Sequence, residues 1–540
     1  MSETIKRSPS GSGLEDVKAR KEQSVILQFP QGRGRGQVSF PFHQVSENGH
    51  DNGSVLPLIK RLCEVLNTRA ISYCHWKSNW RLSRWLTGEG DLDLLVANAD
   101  IERFARAASR LGFVQAGQTH REEMPGILHL YGWDSEAEKF VHLHVYHMLL
   151  VGHDLTTSFR LPVEKLILQS VSKVGLVPVP QPEFELIVFV LRKVLSSWGV
   201  ETVLRRVSGR STGFETTAQE LEYLEANTNR ARVHELLHEI LPGLRVSFFE
   251  RCLESLRLES SLSNRTLARL QLEKVLAPYA RRRPRIDGAL KLWRLVSKVV
   301  RERLLGRPAR KHLGDGGALI ALVGGDGAGK TTAVEAVGRW LDEHFVVQTF
   351  HFGKPPRSPL TFTVIVALRS RALIKRCSKK LFPDWWEEYS PNRPGYLRIL
   401  RWVCAGRDRH RVYLKARRFV DSGGIAICDR YVVPGILLME GPNIARTLAG
   451  TQLTWFSKAL LNAENKYYQQ ITQPDLLLVL RVDPDTAVRR KTDEKEQHVR
   501  TRSLEIWQHD WSNTRAHLVD ASQPPAGVLA ELRAQIWQQI

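Results

Sequence analysis

Apolar residues first recur with a helical period at Leu56, Ile59, Leu62, Cys63 and Leu66. Short apolar runs at 71–74 and 92–96 then predict strands. Ile101, Phe104, Ala105, Ala108 and Leu111 predict a helix closed by Gly112. Phe140, Val141, Leu143 and Val145 mark a further strand. Residues 51–160 therefore read as an α+β unit with a short sheet. From 161 to 280 the pattern is mostly helical, as at Phe184, Leu186, Ile187, Phe189, Val190, Leu191 and Val194. A second globular unit, 317–540, opens with an apolar run at 318–323, a glycine loop, and a helical pattern at Ala333, Val334, Val337, Trp340 and Leu341. Further runs at 425–428 and 476–482 are separated by helical stretches. This alternation predicts an α/β fold, a doubly wound parallel sheet with helices on both faces.

Two segments lack such patterning. Residues 1–50 are rich in Ser, Gly, Arg and Gln, include QGRGRGQ, and read as a disordered basic arm. RNA binding by such a tail is the weaker reading. Residues 281–316 read as a basic linker helix, with twelve Arg and Lys between Arg281 and Lys311 opposed only by Asp287 and Glu302. It reads either as a solvated connector packed on a neighbour or as a helix lying peripherally on an anionic membrane.

Charge extends the picture to the whole chain. Its 540 residues carry a formal net charge of +21, which favours anionic partners such as nucleotides, nucleic acid or acidic lipid without choosing among them. Six scattered cysteines with no C-x-x-C pair argue against a disulfide scaffold or zinc module. The N-terminus lacks a signal-peptide stretch, and no apolar run approaches the roughly 20 residues of a spanning helix. The expectation is a cytoplasmic protein.

Gly324-Gly325-Asp326-Gly327-Ala328-Gly329-Lys330-Thr331-Thr332 satisfies G-x-x-x-x-G-K-[ST]. Glycines let backbone N–H groups turn inward around a phosphate chain, and the following helix offers its positive end to the same anion. Lys330 is expected on the β- and γ-phosphates of ATP, and the Thr331 hydroxyl on Mg²⁺. A second strand end carries Asp429, a candidate for holding Mg²⁺, and Arg430, a candidate clamp on a second phosphate. A third strand leads through Asp483-Pro484 to Arg489, Arg490 and Lys491, then to Arg500 and Arg502. Mobile arginines there would stabilise the charge of a transferring phosphoryl group.

Residues 317–540 resemble the thymidylate kinase-like branch of the nucleoside monophosphate kinases. The G-x-D-G-A-G-K-T-T loop, the D-R-Y strand end, the P-D-L-x-L-x-L-x-V-D-P strand and the arginines beyond it follow in the family's order. The resemblance implies that Asp326 faces the phosphate acceptor and Lys330 the donor. It places Arg430 between them and Arg489 or Arg490 on the transferred charge. The acceptor side departs from the family. Val432-Val433-Pro434-Gly435-Ile436-Leu437 replaces its thymidine-pocket segment, and Gly353-Lys354-Pro355 replaces its arginine-glutamate-proline. A basic insertion with Trp385-Trp386 follows. A phosphotransferase is expected whose acceptor is not dTMP.

In the first unit, Asp91 and Asp93 lie two residues apart, on one face of a strand, where two carboxylates can share a divalent ion. His142 and His144 alternate in the same way on a later strand, and with the aspartates would complete a metal site. Residues 68–165 resemble nucleotidyltransferases of the polymerase-β type. They resemble more closely a bacterial group of nucleotidyltransferase-like proteins carrying Tyr73-Cys74-His75-Trp76-Lys77-Ser78-Asn79 before the aspartates. The Gly-Ser turn and the third carboxylate of active members are absent. Similar two-module arrangements imply surface-polysaccharide or related sugar metabolism. Two rivals remain at this level: a nucleotidyltransferase regulated by an ATP-binding half, and an ATP-gated adaptor on membrane or nucleic acid.

Overall fold

The computed structural model describes residues 55–117, 124–153, 155–196, 214–300, 310–381, 395–450 and 452–540. The basic arm, linker residues 301–309 and Trp385-Trp386 lie outside the described residues. Residues 53–540 belong to one compact unit.

Strands β1 (Tyr73–His75), β2 (Asp91–Val96), β3 (Val114–Gly117), β4 (Ile127–Asp134) and β5 (Lys139–Tyr146) form a mixed sheet in the order β1-β2-β5-β4-β3. Only β2 and β5 run parallel. The period-2 alternation of these strands separates two chemistries. Leu92, Leu94, Leu143 and Val145 point to a core shared with Ile59, Leu62 and Phe104 of helices Pro57–Thr68 and Ile101–Arg110. Their neighbours Asp91, Asp93, His142 and His144 occupy the other face.

Two hairpins follow, β6 (Leu149–Val151) with β7 (Phe159–Leu161) and β8 (Ser172–Val174) with β9 (Val177–Val179). The second lies where a helical pattern was expected. Gly175, at φ +64°, supplies the left-handed turn that reverses the chain there. Beyond it the chain is helical from Pro182. Helix Pro182–Ser196 is apolar nearly all round and is wrapped by helices Arg230–Ile240, Val246–Leu256 and Leu262–Val275.

The linker contains a helix, Pro284–Val299, tied to the first unit. Arg281 and Arg282 donate to the carbonyls of Thr157 and Thr156, and Ser158 donates to Asp287. Its apolar residues Leu292, Trp293 and Val296 remain exposed. Beyond residues 301–309, β10 (His312–Leu313) adds to the β3 edge of the first sheet. A two-residue strand has too little pattern to be legible in advance.

The second sheet is fully parallel. Its strands β11 (Ala318–Gly324), β12 (Val347–His351), β13 (Ile425–Asp429), β14 (Leu476–Arg481) and β15 (Ala516–Asp520) are ordered β12-β13-β11-β14-β15. The central strands are buried on both faces, which explains their unbroken apolar runs.

The two units share a core. The loop helix Lys330–Asp342 and the last helix, Pro525–Gln539, press against the second face of the first sheet. Trp340 meets Trp133 edge-on at 4.9 Å and stacks on Phe140 at 5.4 Å. Trp537 donates its indole N–H to the Gly112 carbonyl, and Arg533 pairs with Glu138 at 2.9 Å. Removing an aromatic anchor of this kind costs about 3–5 kcal/mol. Among the described residues, no helix is long and apolar enough to cross a membrane.

Candidate active site and the paired aspartates

The phosphate loop follows β11, the middle strand of the sheet, at the carboxyl end where open α/β sheets bind ligands. Gly327 and Gly329 hold φ near +80°, which other residues resist, and a Cβ at Gly327 would lie 2.6 Å from the Ala487 carbonyl oxygen. Lys330 begins the helix and is buried, with its ammonium folded onto the Gly325 carbonyl. Burial and the nearby Arg430 pull its pKa down to about 8, against the opposing charges of Asp326, Glu440 and Asp429. Thr331 and Thr332 are exposed at the mouth of the loop.

Asp326 is 3% exposed and sits between two guanidiniums. Arg502 donates to it at 2.9 Å, and Arg430 lies 3.6 Å away. Burial pushes the Asp326 carboxyl up, but the Arg502 hydrogen bond and the charges of Lys330 and Arg430 outweigh it and hold it low. Arg430 itself has φ +58°, a left-handed conformation rare for a side chain of this size. Such an outlier is retained where surrounding contacts fix it. Its other terminal nitrogen lies 3.7 Å from the buried Glu440.

Asp429 ends β13. One of its oxygens, Oδ2, pairs with His351 Nδ1 at 2.8 Å, and Oδ1 is buried with no hydrogen-bond partner. An orphaned carboxylate oxygen beside a threonine-bearing phosphate loop fits a hard divalent cation, so Asp429 and Thr331 are a suitable Mg²⁺ donor set.

The arginines after β14 divide. Asp483 caps helix Pro484–Arg490 by accepting from the Thr486 N–H. Arg489 stays on that helix, bonded to Thr486, and Arg490 donates to the carbonyls of Ala521 and Ser522 on the loop after β15. Neither is brought to Asp326. The arginine that is, Arg502, comes from the next helix, Glu496–Gln508, whose Ser503 lies against Gly325. The resemblance to the thymidylate kinase-like kinases implies Arg489 or Arg490 for this role. Which of several basic residues folds back depends on how two short helices dock.

On the first sheet, Asp91 faces His142 across the β2–β5 register, and Asp93 faces His144. His142 Nδ1 lies 2.6 Å from Asp91, and His144 Nδ1 lies 3.2 Å from Asp93. Lys77 brings its ammonium to 2.7 Å from Asp93 and 3.0 Å from the Tyr146 hydroxyl. His129 of β4 lies 3.0 Å from His142 and stacks on His144. The expected four-ligand cage is thus resolved into pairs, with Lys77 supplying the positive charge at Asp93. Among the described residues, no group of three or more His, Cys, Asp or Glu is arranged to hold a metal ion. Desolvation, joined by the charges of His144, Lys311 and His142, drives the His129 pKa down to about 2.

The rest of the Tyr73–Asn79 motif ties the sheet to the helices behind it. Asn79 donates twice to Glu185, and Ser78 donates to Glu220. His142, Asp91, Trp133 and Phe140 line a cleft of about 510 Å³ with Trp340 and His344 of the loop helix and its end.

No protein-family model matches the chain. It is 24% identical over 230 residues to the uncharacterized ATP-binding protein YghR of Escherichia coli strain K12, covering 40% of this chain and 86% of that protein. It is 27% identical over 176 residues to thymidylate kinase of Halalkalibacterium halodurans, covering 32% of this chain and 68% of that enzyme. A solved thymidylate kinase from Candida albicans matches 41% of this chain and 92% of its own at 17% identity, with a TM-score of 0.27. The glycine loop, the parallel sheet and the two distant sequence relatives define a P-loop kinase-like α/β domain.

Proposed function

We propose that the chain is an ATP-dependent phosphotransferase of the thymidylate kinase-like class whose acceptor is not dTMP. The observation that carries this is the convergence of Lys330, Asp326, Arg430 and Arg502 at the carboxyl end of β11 and β13. Lys330 meets the β- and γ-phosphates of ATP. Arg430, held between Asp326 and Glu440, orients the acceptor and the transferring group. The acceptor oxygen attacks the γ-phosphorus in line, the bond to the bridging oxygen breaks, and ADP leaves. Positioning and charge stabilisation supply most of the rate in such reactions. Arg502 is the arginine placed to neutralise the transferring phosphoryl group. Mg²⁺ held by Thr331 and Asp429 would withdraw charge from the phosphate oxygens.

We read the N-terminal unit as a nucleotidyltransferase-like module that binds or regulates rather than transfers nucleotides. Nucleotidyl transfer needs carboxylates free to hold metal, and Asp91 and Asp93 are engaged by His142, His144 and Lys77. The loop helix reaches from Lys330 to the wall of the cleft beside Asp91, so one helix links the module to the nucleotide loop. Placing the acceptor in sugar or surface-polysaccharide metabolism rests on the two-module resemblance. The exposed apolar residues of the basic linker helix favour peripheral contact with the cytoplasmic face of an anionic membrane.

The test is purified protein with γ-labelled ATP and a deproteinised metabolite extract. The proposal predicts label in a new organic phosphate and little conversion of dTMP to dTDP. Efficient dTDP formation, or no consumption of ATP at all, would contradict it.

A further inference from the structure

Glu440 lies eleven residues beyond the end of β13 on a segment with no special charge pattern, yet it is 7% exposed and belongs to the phosphate-loop site. Its nearest cation, Arg430, is 3.7 Å away, outside hydrogen-bond range, and among the described residues no group donates a hydrogen bond to its carboxylate. A carboxylate set beside a phosphate loop with no donor bonded to it is a candidate for a chemical role. The neighbouring cations are committed elsewhere. Arg409 donates to the Phe352 carbonyl and the Tyr468 hydroxyl, and Arg502 to Asp326. Gly353 borders the same space, where a Cβ would lie 2.6 Å from Arg430 Cδ and 3.2 Å from Glu440 Oε1. The bare backbone there lets the Arg430 and Glu440 side chains close over it at the edge of the phosphate-loop site. Burial raises the pKa of Glu440 against the opposing charges of Arg430, Arg409 and Lys330.

We propose that Glu440 is the general base of the reaction and that the acceptor is a neutral hydroxyl compound rather than a phosphate. An acceptor phosphate is already an anionic nucleophile that needs no base, and it would be repelled by a carboxylate fixed at the acceptor side. An alcohol must lose its proton as its oxygen bonds to phosphorus, and a carboxylate within reach receives it. In the step, the acceptor O–H bond breaks, its proton passes to Glu440, the new O–P bond forms, and the bond from the γ-phosphorus to the bridging oxygen breaks. ADP and a phosphate monoester result, and Glu440 then releases the proton to solvent.

This inference rests on the phosphotransferase reading, and the test separates the two. Water is itself a hydroxyl acceptor, so slow hydrolysis of γ-labelled ATP by the full chain is the probe, alongside affinity for a fluorescent ATP analogue. Glu440→Gln is expected to lower the hydrolysis rate about a hundredfold or more with analogue affinity unchanged. Glu440→Asp, which keeps the carboxylate, is expected to recover part of it. Unchanged hydrolysis in Glu440→Gln overturns the base assignment while leaving the kinase reading intact. Equal loss in both variants assigns Glu440 a structural role and also overturns it. Failure of the unaltered chain to bind the analogue or hydrolyse ATP refutes the underlying reading, and this inference with it.

Discussion

Lys77 holds its ammonium 2.7 Å from the Asp93 carboxylate, on the sheet face that Asp93 shares with Asp91, His142 and His144. Both side chains are largely buried, at 17% and 14% exposure. Desolvation pushes the Asp93 carboxyl up, but Lys77 and His144 outweigh it and hold it far below the carboxylate range.

Removing the lysine therefore strands a buried anion. Lys77→Met is expected to destabilise the first unit by about 3–5 kcal/mol. Thermal unfolding would register this as a clearly lower midpoint. Asp93→Asn in the same chain should restore part of the loss, because both charges are then gone. A midpoint unchanged in Lys77→Met would show that Asp93 finds another cation.

The arginines after β14 should separate kinetically. Arg502→Ala removes the guanidinium on Asp326 and is expected to lower kcat by about tenfold or more, in the manner of arginines that stabilise a transferring phosphoryl group. Arg490→Ala releases the loop at Ala521 and Ser522 and is expected to raise KM for ATP more than it lowers kcat. Steady-state kinetics of both variants check this, and the reverse pattern would restore Arg490 to the transferring group.

Glu185 provides a pH signature. Burial raises its pKa to about 7, although two hydrogen bonds from Asn79 oppose the rise. In the unfolded chain a glutamate ionises near pH 4.3. Between that value and pH 7 the unfolded state gives up its proton first, so this residue's contribution to stability declines as pH rises. Glu185→Gln should flatten that decline. The melting midpoint of the variant relative to the parent is then higher at pH 8 than at pH 5. A constant difference between the two pH values would contradict the assignment.

The nucleotide loop was legible because its glycines and lysine are adjacent in sequence and their backbone geometry is local. The facing of Asp91 to His142 and Asp93 to His144 was legible as a condition, since alternation fixes the face of a strand but not which strands are neighbours. Lys77, His129 and Tyr146 were not read as part of that face. Only the sheet order brings β4 beside β5 and the 73–79 motif beside β2. Glu440 and His351 were equally silent. Each is a single polar residue in an unremarkable context, and its meaning comes from neighbours distant in sequence. The contact of Trp340 with Trp133 was hidden for the same reason, because a helix pattern shows that a face is buried but not against what.

The central claim is that Lys330 holds the donor phosphates for transfer. Its most direct test is turnover of γ-labelled ATP by the parent and by Lys330→Ala, with circular dichroism confirming that both are folded. The account predicts that Lys330→Ala keeps its fold and loses turnover by about a hundredfold or more, as expected when a group stabilising transition-state charge is removed. Turnover equal to that of the parent would contradict it.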